Sequence, residues 1–352
     1  MRAIVTGSSG LVGSEAVRHF SEAGFDVVGI DNDMRRRFFG DDASTYRSGE
    51  ELVRQFPEFR WRTADIRDAD RVERIFEDAK PDLVVHCAAQ PAHDWAARDP
   101  QTDFAVNANG TLNILEAARK HCPSAPFVHC STSKVYGDNP NRIHLEREGD
   151  RYVPLDRRWL DGIDTSMSID LCTHSLFGAS KAAGDLLVQE YGNYFNMPTV
   201  CFRPGCITGP QHAGTELHGF LSYLMKCTMT GARYTVYGYD GLQVRCNISA
   251  RDLVRAFDVW RTNPSPGRVY NIGGGPHSNC SMREAIYVCE AIAGRQLEWT
   301  YRDEPRIGDH KWWVSNNAPF ELDHDWTPTE TTYSILERIF EENGERWTPP
   351  SS

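Results

Sequence analysis

The chain has 352 residues, 40% of them hydrophobic, enough for one large core or two intimate ones. Its 49 acidic side chains outnumber 38 Lys and Arg for a formal charge of −11, which excludes the basic footprint that nucleic acid or an anionic membrane would need. No apolar run approaches the ~18 residues of a membrane span.

The opening residues, Met1 to Gly7, run directly into a strand pattern with no signal-peptide layout, so a soluble cytoplasmic protein is expected. The ten cysteines stand singly and none forms a Cys-x-x-Cys pair, so they read as buried free thiols and no metal site is expected. Ala3-Ile4-Val5-Thr6 is a short β-prone run, followed by Gly7-Ser8-Ser9-Gly10-Leu11-Val12-Gly13 and an amphipathic helical stretch to about Ala23. Strand, glycine turn and helix in this order suit a dinucleotide. Gly7 permits the turn, Gly10 lets backbone approach a pyrophosphate, Gly13 allows close packing, and the helix N-terminus, with Ser9, Leu11 and Val12, faces the phosphates.

A second strand, Asp26 to Ile30, ends in Asp31-Asn32, at the right remove for a ribose-binding carboxylate. An acid here accepts from the adenosine 2′-hydroxyl and repels a 2′-phosphate, which favours NAD over NADP. Arg35, Arg36 and Arg37 follow, either to pair with a phosphate or as a solvated loop. Further strands are expected near Arg60–Thr63 before Asp65-Ile66, at Asp82–His86 and at Pro126–Cys130, each alternating with amphipathic helices. That alternation implies an α/β fold with a doubly wound parallel sheet and ligands at the strands' C-terminal ends.

Downstream come Ser131-Thr132-Ser133-Lys134-Val135-Tyr136-Gly137, then His174-Ser175-Leu176-Phe177-Gly178-Ala179-Ser180-Lys181, then Phe202-Arg203-Pro204. From about Gly205 the pattern shifts to loops and helices rich in aromatics, including Leu217 to Leu224. Gln243-Val244-Arg245, Tyr270-Asn271-Ile272-Gly273-Gly274-Gly275 and Arg306-Ile307-Gly308-Asp309-His310 follow.

Together with His86-Cys87-Ala88-Ala89-Gln90 and Asn107-Ala108-Asn109-Gly110-Thr111, these segments resemble the extended short-chain dehydrogenase/reductase superfamily of nucleotide-sugar epimerases and dehydratases. The resemblance spans nearly the whole chain and looks strongest toward the CDP-paratose (CDP-tyvelose) 2-epimerase branch. It implies a Rossmann-type NAD-binding domain over 1–203 and a smaller, interleaved α/β nucleotide-sugar domain over 204–352, with part of 232–260 returning to the first. It also implies that Asp65 and Ile66 flank the adenine, that Ala88, Ala89 and Gln90 pass the cofactor, that Asn107 braces the active-site strands and that Arg203 lies on the cofactor side. Ser133, Arg245, Arg306 and Asp309 would meet the substrate, the arginines on its pyrophosphate. Helices around Gly110–Arg119 and Phe177–Tyr191 would build a homodimer.

In relatives of this kind a tyrosine takes the sugar hydroxyl proton, and a lysine one helical turn later lowers the phenol pKa and binds the ribose. Lys181 holds the lysine position, but Phe177 stands where the tyrosine belongs, and a phenyl ring carries no labile proton. Thr132, with Ser131 as fallback, supplies the hydroxyl contact. Replacement bases are sought among His93, Asp94, His174 and Lys181, although a lone histidine is more often a structural hydrogen-bonder. Dehydratase relatives carry Asp-Glu directly after the threonine. Here those positions are Ser133 and Lys134, which disfavours expulsion of water and leaves reversible oxidation and epimerisation as the expected chemistry.

Overall fold

The computed structural model describes residues 1–212, 214, 219–305 and 308–347. Seven parallel strands form the central sheet: β1 (Arg2–Thr6), β2 (Asp26–Asp31), β3 (Arg60–Thr63), β4 (Leu83–His86), β5 (Phe127–Cys130), β6 (Thr199–Pro204) and β7 (Arg268–Ile272). Their spatial order is β7-β6-β5-β4-β1-β2-β3, so the chain reverses direction across the sheet between β1 and β4. In doubly wound sheets the crevice at such a reversal is where ligands bind.

Alternation along the strands sorts side chains onto two faces. Ala3, Val5, Leu83 and Val85 join one core with Ala16, Val17 and Phe20 of the helix Leu11–Glu22. Ile4, Val84 and Phe127 join the other with Val72 and Phe76 of the helix Ala69–Ala79 and Ile114 and Leu115 of the helix Gly110–His121. The polar strand β3 lies at the edge, where exposure costs little.

The return from the second half is larger than the sequence suggested. The helix Ala250–Thr262 buries Leu253, Val254, Phe257 and Trp260 in the first core, and β7 pairs with β6 as the seventh strand. A separate core gathers the helices Phe220–Thr230, Met282–Ala293 and Thr332–Trp347 around Leu224, Met225, Ile286 and Ile339. Beside it the strand Val244–Ser249 pairs with Cys206–Thr208, Asn279–Ser281 and Trp312–Trp313. Among the described residues no helix is long and apolar enough to cross a membrane, and no cluster of metal-ligating side chains occurs.

Candidate active site

A cleft of about 500 Å³ runs along the C-terminal ends of the strands, from the glycine turn to the separate core around Leu224 and Ile286. Gly7 takes φ +65°, and a Cβ there would meet Ala88 N at 2.8 Å. At Gly13 a Cβ would lie 1.9 Å from the Gly7 carbonyl oxygen. Gly10 is the N-cap of the helix Leu11–Glu22 and has no side chain with which to cap it, so the first helical N–H groups remain available to an anion at the cleft wall.

Asp31 closes the other side of this cradle, accepting from Ser9 N–H at 3.0 Å and Asp33 N–H at 2.8 Å. Burial raises its carboxyl pKa, and those two backbone donors work against the rise. Gly7, Gly10, Leu11, Val12, Gly13, Asp31, Asn32, Asp65, Ile66, Ala88 and Ala89 all line the cleft. Ser9 contributes its backbone to the Asp31 contact and does not line it. Asp65 is clasped by Arg67 at 2.7 and 3.0 Å and by Asn32 at 3.0 Å. Burial opposes its charge, but these donors prevail and hold the carboxyl below its ordinary range. Of the arginine run, Arg36 pairs with Asp41 and Arg37 with Asp99, while Arg35 lines the cleft.

Beneath the cradle a relay locks β1 to β4. Ala88 N–H donates to Thr6 Oγ1, that hydroxyl faces His86 Nδ1 at 2.7 Å, and His86 Nε2 faces Thr111 Oγ1 at 3.0 Å. Thr111 in turn donates to the Asn107 carbonyl, so the chain is satisfied by a neutral His86 carrying its proton on Nε2. Burial, aided by Lys181, drives the His86 pKa down to about 3, consistent with that state.

Gln90, Asn107 and Arg203 do not line the cleft and brace its wall from beneath. Asn107 Oδ1 accepts from Gln90 N–H, and its Nδ2 faces the Gln90 carbonyl, Asp103 and Ser180. Gln90 Nε2 donates to Asp103 and to the Ala92 carbonyl, fixing the loop that carries His93. Arg203 turns into the core and meets Asp185 through two bonds, at 2.6 and 3.0 Å, and Tyr136 Oη at 2.9 Å. Ser131 is also committed, donating to Asp185 at 2.5 Å, while Thr132 lines the cleft beside Ser133 and its Oγ1 accepts from Lys134 N–H at 3.2 Å.

A further corner of the cleft forms where β5 ends against the helix Ser175–Phe195. Phe177 and Lys181 lie one turn apart on that helix and both line the cleft. Lys181 is 4% exposed, its Nζ donates to the Cys130 carbonyl at 3.1 Å, and burial lowers its pKa. Ser175 adopts φ +59°, a left-handed geometry uncommon outside glycine, and its Oγ sits 2.9 Å from His93 Nδ1. The His93 ring stands edge-on to Phe177, centroids 4.8 Å apart. Burial and the nearby Lys134 charge push the His93 pKa down to about 4 against the pull of Asp309, so it is a weak proton acceptor near neutrality.

Asp94 reaches the cleft but is exposed. His174 does not reach it: its Nε2 turns to the Ile169 carbonyl at 2.7 Å and Cys172 Sγ at 3.4 Å. Its hydrogen bond to the Ile169 carbonyl, rather than the helical spacing to Phe177, fixes where that ring points.

Ser133 lines the cleft with Arg245 and Asp309, and the last two are paired at 2.8 Å. Arg245 also donates to the His310 carbonyl. Arg306 lies outside the described residues. Trp313 packs against Tyr136 at 5.5 Å and donates to Ser315, so it closes the wall as a packing group. Lys134 lines the cleft between these residues and Thr132, and sequence reasoning passed over it as merely the absence of an acid. Its signal was its place two residues beyond Thr132 in the loop leaving a strand's C-terminal end. Cys87 and Cys130, also on the cleft wall, are brought side by side by the β4–β5 register although 43 residues separate them.

The sequence is similar to CDP-paratose 2-epimerase of Salmonella typhi, 27% identical over 97% of this chain and 98% of that one. It is equally similar to dTDP-glucose 4,6-dehydratase of Salmonella typhimurium, 27% identical over 97% and 92%. The UDP-glucose 4-epimerase of Thermus thermophilus, solved in complex with NAD, superposes with a TM-score of 0.77 at 26% identity, covering 97% of this chain and 98% of that one. Residues 3–273 match the model of the NAD dependent epimerase/dehydratase family, whose cofactor, NAD, fits the glycine cradle and Asp31. The chain therefore belongs to the NAD-dependent epimerase/dehydratase family.

Proposed function

We propose that this protein epimerises a nucleotide-activated sugar through a transient keto intermediate, in the manner of a CDP-paratose 2-epimerase. The observation that carries this reading is the composition of the loop after β5: Thr132 lines the cleft, followed by Ser133 and Lys134 where expulsion of water would call for an acid pair. NAD bound in the cradle supplies the hydride acceptor and returns the hydride.

The chain's own residues do the rest. Thr132 holds the reacting hydroxyl, Lys181 the ribose side, and Arg245 the diphosphate, with Asp309 exchanging its Arg245 contact for a ribose hydroxyl. Burial of the corner excludes water while the sugar is oxidised. The helix Ser175–Phe195 leaves Leu176, Leu186 and Tyr194 exposed along one side, which supports a homodimer built on this face.

The test is incubation of the purified protein with a panel of CDP-, UDP-, GDP-, ADP- and dTDP-sugars, read by NMR and mass spectrometry. An epimer of unchanged mass supports the reading. Loss of one water, or net redox change, refutes it. Phe177 favours a second reading, a nucleotide-sugar-binding protein without turnover, for which the panel would show binding and no product.

A further inference from the structure

We propose that the Lys134 side-chain amine is the group that takes and returns the sugar hydroxyl proton, in the role Phe177 cannot fill. This rests on the epimerase reading above. Lys134 is anchored by its main chain, because its carbonyl packs under the helix start where a Cβ on Gly178 would lie 2.9 Å from it. The side chain then extends into the cleft, where Nζ donates to the Gly308 carbonyl at 2.8 Å and stands 4.0 Å from Asp309 Oδ1. Gly308 in turn abuts the His93 ring, which touches Phe177 edge-on. Lys134, Thr132 and Phe177 therefore border one corner of the cleft, and a fifth of the Lys134 side chain remains open to it.

The surroundings suit a mobile proton. Burial lowers the Lys134 pKa to about 8, with Asp309 opposing and Arg245 reinforcing the shift. The other groups facing it do not titrate near there: burial pushes the Cys206 thiol up to about 11, His93 down to about 4 and His310 well below its ordinary range.

In the forward step the sugar O–H bond breaks and its proton joins the Nζ lone pair. The electrons left on oxygen form the carbonyl as the carbon's hydride leaves to the acceptor named above. For the return, the keto sugar presents its opposite face, the hydride comes back to that face of the carbon, and Nζ gives its proton back to the oxygen, so the configuration at that carbon inverts. The neutral amine is the active base, so turnover rises with pH through about 8 and levels off above it.

Two measurements decide this. The first is the pH dependence of Lys134 acylation by acetic anhydride, followed by peptide mass spectrometry. A midpoint near 8 is expected, and the ordinary lysine value of about 10.4 overturns the proposal. It needs no turnover, so it stands apart from the test of the epimerase reading.

The second compares Lys134→Arg and Lys134→Met. Both should lose at least ~100-fold in kcat, with nucleotide-sugar Kd changed less than about threefold and the rising pH limb abolished. Lys134→Met should regain turnover with added methylamine or with Phe177→Tyr. Full activity in Lys134→Arg with an unchanged pH profile would mean that the residue supplies charge alone, and would overturn the assignment.

Discussion

Gly13→Ala probes the cofactor cradle at its tightest point. The new methyl would lie 1.9 Å from the Gly7 oxygen and 2.6 Å from its carbonyl carbon, whereas real Cβ contacts stay beyond 3.0 Å, so the turn must retreat by about 1 Å. Hydrogen bonds from the turn and helix N-terminus to a phosphate weaken steeply over such a shift. Bonds to a charged group are worth about 1.5–3 kcal/mol each. Losing two removes about 3–6 kcal/mol, a rise of ~10²- to 10⁴-fold in the NAD dissociation constant.

Gly10→Ala is the matched control, because its Cβ meets only the Gly7 oxygen, at 3.3 Å, and otherwise adds bulk on the cleft side. It should weaken NAD with little change in thermal stability, whereas Gly13→Ala should lower both. Calorimetric titration with NAD and thermal unfolding read the two effects. Gly13→Ala binding NAD within threefold of the parent would refute the cradle.

Asp185→Asn should destabilise the protein by about 3–5 kcal/mol in urea unfolding, because Arg203 would keep its buried charge without its carboxylate; a change below ~1 kcal/mol would contradict this. Phe177→Tyr in the otherwise unchanged protein should not raise kcat more than about twofold, since the proton already has a carrier; activity appearing from nothing would instead support the non-catalytic reading. Sedimentation should show a dimer that Leu186→Glu with Tyr194→Glu converts to monomer, and an unchanged mass in that variant would place the interface elsewhere.

The glycine turn and the strands β1, β2, β4 and β5 are legible because each is a local pattern with its own turn chemistry. The Thr132, Phe177 and Lys181 constellation is legible through its resemblance to the family's Tyr-x-x-x-Lys motif, with helical spacing placing Phe177 and Lys181 on one face. Gln90, Asn107 and Arg203 sit near those ends too, but sequence position does not say whether a polar side chain faces the cleft or the packing beneath it. Their partners, Asp103 and Asp185, are what turn them inward.

His174 is diverted by the carbonyl of Ile169, five residues earlier. The residues of β7 stand out as a motif, yet their membership of the sheet depends on pairing with β6, 68 residues earlier. Lys134 is not legible as a site residue because its meaning comes from burial and from Gly308 and Asp309 across the cleft.

The central question is which group meets the sugar hydroxyl in a corner that has no phenol. A crystal structure with NAD and a bound nucleotide sugar tests it most directly. The prediction is a sugar hydroxyl within about 3.2 Å of both Lys134 Nζ and Thr132 Oγ1, with the Phe177 ring in apolar contact only. A hydroxyl bonded to His93 or Asp94, with Lys134 still held by Gly308 and Asp309 away from the sugar, would contradict it.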